Sequence, residues 1–136
     1  MDGMTLHPLR RIAVEKGDIY HALKCTDAGF HGFGEAYFSE IGHGLTKGWK
    51  RHNRMTLNIV VAKGAIRFFV HNSETGETES VLLGPDICHS RLELAPGLWM
   101  AFRGEAPGYS MLLDIIPDLH DPSEADKAEL DSFPLS

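Results

Sequence analysis

Between residues 47 and 54 the chain gathers Lys47, Lys50, Arg51, His52 and Arg54 with no acidic residue among them. Local charge sets the field in a cleft, so such a cluster suits a small anion such as a diphosphate; the plain alternative is a solvated basic edge strand. Arg67 and Arg103 are further phosphate candidates. Trp99 and Phe102 offer aromatic faces for a base or sugar, though aromatics in a strand also serve as core. His21, His31, His43, His71, His89 and His120 have no ligand spacing to one another and read as surface or turn residues.

The charge is unevenly spread. From Asp114 onward seven acids face Lys127 alone, which accounts for the whole net charge of -6 and leaves residues 1 to 113 neutral. A nucleic-acid partner is not expected of a chain with a sequence pI near 5.7. At 136 residues, 43% of them hydrophobic, the chain suits one domain spanning 1–136 with one core. No apolar run reaches the ~18 residues that a membrane span needs. Met1 to Leu9 lack the basic and long apolar stretches of a secretory leader. Cys25 and Cys88 are too few for a disulfide framework and read as buried thiols, so a cytoplasmic location is expected.

The elements that must position these residues are short strands between glycine, proline and polar turns. The candidates are 11–14, 18–25, 33–41, 45–52, 55–61, 65–71, 78–83, 91–94, 98–103 and 109–116. Many short strands at regular spacing predict a sandwich or barrel. Met55, Leu57, Ile59 and Val61 alternate with Thr56, Asn58 and Val60, which predicts one apolar strand face turned inward. A short C-terminal helix is expected after Asp121, with Pro122 in its first turn and Glu124 placed as in a capping box.

Gly44 is followed by five residues, then Lys50-Arg51-His52, four residues to Leu57 and six more to Gly64. This spacing resembles the first cupin motif: glycine, five residues, His-x-His, three or four residues, glutamate, six residues, glycine. Ala95 to Met100 is similar to the second motif, Pro-x-Gly-x-x-His, with Met100 at the last histidine. The resemblance implies an all-β cupin-type jelly-roll barrel. Lys50, Leu57 and Met100 stand at three of its four ligand positions, and His52 alone supplies no metal site.

Within the cupins the chain resembles the dTDP-4-dehydrorhamnose 3,5-epimerase family and related nucleotide-sugar isomerases over roughly Asp18 to Asp114. Lys47 to His52 is similar to their Arg-Gly-hydrophobic-His-x-His stretch, Phe33 to Tyr37 to an early Gly-Phe-Phe-x-Glu strand, and Pro96 to Phe102 to a Pro-Gly-Phe-x-His-Gly-Phe turn. The resemblance implies cofactor-free proton abstraction alpha to the ketone of a nucleotide-linked 4-keto-6-deoxy sugar. Lys50 occupies the place of the family's base, so two substitutes arise. One is His52, since an unperturbed imidazole titrates near neutrality. The other is Lys50 itself, as a base if burial among Leu57, Ile59 and Met100 favours the neutral amine, or else as a charge for phosphate. Asp114 would orient His52, and Tyr37 or Tyr109 would supply the acid. Lys47, Arg51, Arg54, Arg67, Trp99 and Arg103 would hold the substrate, and Phe33 and Glu35 would reach the pocket of a partner in a homodimer. A non-catalytic barrel binding a sugar nucleotide or another anionic metabolite is the alternative function.

Overall fold

The computed structural model describes residues 1–136. Twelve strands follow in order: β1 (Met4–Pro8), β2 (Arg11–Ile12), β3 (Ile19–Tyr20), β4 (Glu35–Gly42), β5 (Thr46–His52), β6 (Leu57–Lys63), β7 (Ile66–Asn72), β8 (Glu77–Leu83), β9 (Ser90–Leu94), β10 (Trp99–Gly104), β11 (Tyr109–Ile116) and β12 (Ala125–Lys127). They form two five-stranded sheets, β1-β9-β6-β11-β4 and β12-β5-β10-β7-β8, with β2 and β3 as a separate ribbon. Every strand pair is antiparallel. The expected all-β jelly-roll barrel is therefore the fold. No helix is long and apolar enough to cross a membrane.

Alternation within the strands sends one set of side chains between the sheets. Met55, Leu57, Ile59 and Val61 join Ile66, Phe68, Val70, Leu92 and Leu112 in the buried core, so the row expected from residues 55 to 61 does face inward. Gly44 and Gly64, which frame the motif spacing, both have φ +77, a conformation that side chains with a Cβ rarely adopt. At Gly64 a Cβ would also run into Ser110, whose hydroxyl bridges the N–H and C=O of Ala65.

The ends of the chain depart from expectation. The sequence reading misses β1, and the stretch 18–25 narrows to Ile19–Tyr20. No C-terminal α-helix forms. Asp121 caps only a 3-10 turn, Pro122–Glu124, accepting from the Ser123 N–H at 3.0 Å. The chain then pairs as β12 with β5, Ala125 opposite His52 and Lys127 opposite Lys50, before a second 3-10 turn at Leu130–Ser132. Edge pairing with β5 satisfies backbone groups that the short helix would have satisfied itself, and it partly covers Ala128, Phe133 and Leu135 of the tail.

Those residues cover the outer face of the second sheet, where Trp49, Phe69, Trp99 and Ala101 form a second cluster with Ala128, Phe133 and Leu135 packed against it. The Phe133 ring stacks on His71 with centroids 4.2 Å apart and meets Trp49 and Trp99 at 5.4 and 5.3 Å. Trp49 donates its indole N–H to the Leu130 carbonyl at 3.1 Å. Burial holds the His71 pKa below the usual imidazole value, so the ring meets Phe133 as a neutral plane. The thiols are not buried as expected, since Cys25 is exposed and Cys88 is partly so.

Candidate functional site

A cavity of about 720 Å³ opens between the sheets. Leu57, Ile59, Met100, Phe102 and Leu112 make its apolar wall. Tyr37 and Ser39 enter from β4, Lys47, Lys50 and His52 from β5, Asp114 from β11, and Lys127 and Glu129 from the tail. Lys50 and His52 are two apart on β5, and so share a face. Asp114 and Tyr37 are direct cross-strand partners on the other sheet.

His52 is held by Glu124, not by Asp114 as the resemblance implied. Its Nδ1 lies 2.6 Å from Glu124 Oε1, while Glu124 Oε2 accepts the backbone N–H groups of Arg54 and Met55 at 2.7 and 2.9 Å. Both side chains are buried, Glu124 almost completely. Burial alone would raise the Glu124 pKa, but the two backbone amides and the imidazole outweigh it and hold the carboxyl at about 2. An ionised carboxylate only accepts, so the ring proton sits on Nδ1. Nε2 is left as the basic nitrogen, without a protein partner, on a side chain that lines the cavity.

Asp114 is committed to Tyr37 instead. The phenol donates to Asp114 Oδ2 at 2.9 Å, and Oδ1 is sealed from solvent without any partner. Burial pushes the Asp114 carboxyl up to about 6, opposed by the Tyr37 hydrogen bond and by the Lys50 charge. Burial, and then the neighbouring carboxylate, raise the Tyr37 pKa above that of a free phenol. Lys50 takes part in none of the ion pairs.

The basic cluster divides. Lys47 and Lys50 reach the cavity, Lys47 also donating to the Glu40 carbonyl at 2.6 Å. Arg51 points away, paired with Asp126 at 2.6 Å and lying 4.7 Å over the Trp99 ring. Arg54 pairs with Asp118 at 3.4 Å. Arg67 and Arg103 share Glu105 at 3.1 and 2.8 Å on the outer side of the sheet, and Arg103 lies over Phe69. The structure therefore does not bring Arg51, Arg54, Arg67, Arg103 or Trp99 to the cavity. The reason is alternation: residues 51, 67, 99 and 103 occupy the face opposite that of Lys50, Phe68, Met100 and Phe102. Phe33 and Glu35, expected at the pocket of a partner, do not line this chain's own cavity: Phe33 is 67% exposed and Glu35 accepts the His120 N–H. Tyr109 is 62% exposed and does not line the cavity, which leaves Tyr37 as the phenol of the site.

Sequence reasoning missed Glu124 and Lys127. Glu124 did carry a signal as a capping-box glutamate, but a strand pairing with β5 turns it towards His52. No group of three His, Cys, Asp or Glu side chains is placed to hold a metal ion.

The whole chain has the structure of the dTDP-4-keto-sugar epimerase and isomerase cupins. A dTDP sugar isomerase from Desulfovibrio desulfuricans is 29% identical with TM-score 0.93, over 99% of this chain and 90% of that one. Two more distant structures share the fold. The 3,4-ketoisomerase QdtA of Thermoanaerobacterium thermosaccharolyticum is 15% identical with TM-score 0.80, over 93% and 88% of the two chains. The 3,5-epimerase RmlC of Legionella pneumophila is 15% identical with TM-score 0.80, over 96% and 74%. No family model matches the chain, and no curated protein matches it by sequence.

Proposed function

We propose that this chain is a metal-free isomerase or epimerase of a nucleotide-linked 4-keto-6-deoxy sugar, with His52 as the base that removes the proton alpha to the ketone. The observation that carries the reading is the Nδ1 bond from His52 to the ionised Glu124, which leaves a basic Nε2 in a cavity also lined by a phenol and three lysines. Glu124 is a positioning residue, because it acts through the ring. Lys47, Lys50 and Lys127 supply positive charge for a diphosphate. Structural relatives that act on dTDP sugars support the substrate class.

The same reading carries a homodimer. Strand β4 is a sheet edge, and Phe33 and Phe38 on it and just before it are 67% and 61% exposed, more apolar surface than a free edge should show. Tyr37 and Ile41, from the same segment, turn inward and do not add to it. Two free thiols fit a reducing compartment, the cytoplasm.

The deciding experiment is solvent deuterium incorporation into TDP- and UDP-linked 4-keto sugars, followed by NMR. Exchange at a carbon beside the ketone that disappears in His52→Asn supports the enzyme. Binding without exchange in the parent marks a non-catalytic binder, and no binding of either nucleotide series defeats both readings.

A further inference from the structure

Arg91 is a buried cation for which the fold supplies no carboxylate. It is 2% exposed and takes part in none of the ion pairs. Its neighbour Leu92 faces the core, so Arg91 lies on the outer face of the β1-β9-β6-β11-β4 sheet. Nη1 donates to the Asn58 side-chain oxygen and Nη2 to the Ala28 carbonyl at 2.8 Å, while Nε has no partner. Both acceptors are neutral. Glu93, two residues further along β9, bonds His7 at 2.7 Å instead. Arginine stays charged in proteins, and a buried charge is normally paired. Clamping of the chain at Ala28 explains the two Nη bonds, but it leaves the charge without a counterion.

Arg91 lines a second cavity, of about 270 Å³, between residues 7–10 and residues 21–28. Arg10 and Lys24 stand exposed in its lining, and His7 and His21 are half-buried. Arg10, Lys24 and His21 are also absent from the ion pairs. The one acid of the lining, Asp27, accepts the Lys24 backbone N–H at 2.8 Å. Three permanent cations thus surround a small space with one carboxylate, in a chain whose net charge is -6. Low-dielectric walls concentrate the field of such a cleft. The His52 cavity lies on the other face of this sheet, and the β4 edge at its opposite end.

We propose that this second cavity binds a phosphoryl group, either inorganic phosphate or the phosphate of a small monoester, with the buried Arg91 charge as its inner wall and Arg10 and Lys24 at its rim. Three cations less one carboxylate leave a formal charge of +2 with both imidazoles neutral. A phosphate carrying about −2 balances that charge, and a single carboxylate does not. Guanidinium forks match phosphate oxygens, and a tetrahedral anion offers acceptors to donors on several sides at once. The volume is just under the about 300–1,000 Å³ of drug-sized pockets, which suits a small ligand. Ala22, Leu23 and Ala28 give apolar surface for the organic part of a monoester. The site is separate from the chemistry at His52 and does not depend on it.

The test follows the Arg91 Nε–H by nitrogen NMR in the full-length, arginine-labelled protein, titrated with inorganic phosphate, glycerol 3-phosphate and succinate. The resonance is identified by its absence in Arg91→Lys or, should that variant fail to fold, by assignment through the backbone. It should shift saturably below about 10 mM phosphate. Arg10→Ala and Lys24→Ala alter exposed side chains and should each raise the midpoint about threefold or more, whereas Lys50→Ala in the barrel cavity should leave it in place. A lower midpoint for glycerol 3-phosphate assigns the site to phosphate monoesters, and an equal or higher one assigns it to the free ion. The proposal is overturned by the absence of a saturable shift with either phosphate, by a shift that Lys50→Ala abolishes, by midpoints unchanged in both rim variants, or by succinate binding as tightly as phosphate.

Discussion

Glu124→Gln separates the charge of this residue from its shape. In the parent, Oε2 accepts two backbone amides and Oε1 faces His52 Nδ1 at 2.6 Å. The glutamine oxygen can keep both backbone bonds, which turns the NH₂ group towards Nδ1. That nitrogen must then accept, the ring proton moves to Nε2, and the cavity loses its basic nitrogen. General-base catalysis contributes about 10²–10⁴-fold, so deuterium exchange should fall by about a hundredfold or more while affinity for the nucleotide sugar is unchanged. Stability changes as well. A carboxyl held at about 2 in the fold and at 4.5 when free contributes up to about 3 kcal/mol, fully present above pH 4.5 and lost as pH falls towards 2. Glu124→Gln should therefore unfold at lower urea concentration at pH 7, with a difference that shrinks in acid. Nitrogen NMR of the ring reports the tautomer directly. A variant that exchanges at the parent rate with its ring proton moved to Nε2 would refute the assignment of His52 as base.

Asp114 titrates in the opposite sense. Its folded pKa of about 6 lies above the 3.8 of a free aspartate, so its contribution to stability falls as pH rises between those values and then levels off. Asp114→Asn should be more stable than the parent by up to about 3 kcal/mol above pH 6, less whatever hydrogen bonding the amide loses, and urea melts across pH check this. Lys50→Ala and Lys127→Ala should each weaken binding of a TDP sugar about ten- to a hundredfold by calorimetry, as expected for one lost charged contact to phosphate, while Arg54→Ala should leave it unchanged. Phe133→Ala should cost about 2 kcal/mol in chemical denaturation, less than a fully buried phenylalanine because the ring is only partly covered. Light scattering at micromolar concentration should give a dimer, and Phe38→Glu should shift it to monomer.

The barrel was legible because its signals are local. Alternation at Met55 to Val61 and glycines at the turns around residues 44 and 64 need only a few neighbours to be interpreted. The cavity was half legible: Lys47, Lys50, His52, Tyr37 and Asp114 all line it. What failed was pairing. Asp114 is bonded to Tyr37, 77 residues away in sequence, and His52 to Glu124, 72 away; spacing along one strand says nothing about such partners. The basic cluster misled for a related reason. A run of cations looks free until the fold brings Asp126 to Arg51 and Asp118 to Arg54, so the acidic tail that looked separate neutralises half of the run. Arg67, Trp99 and Arg103 were misplaced by one step of strand parity, which sends a side chain to the other face.

The strap formed by β12 and Phe133 gives the molecule a division of labour. The inner strands define most of the cavity wall, to which the strap adds Lys127 and Glu129, while the carboxylate that fixes His52 arrives on the stretch of chain just before the strap. Reactivity can thus change by substitution at one position of that stretch while the walls that recognise a ligand stay as they are. A descendant that lost Glu124 would keep its lysines and its cavity, and would pass in one step from transforming a sugar nucleotide to merely reporting its presence.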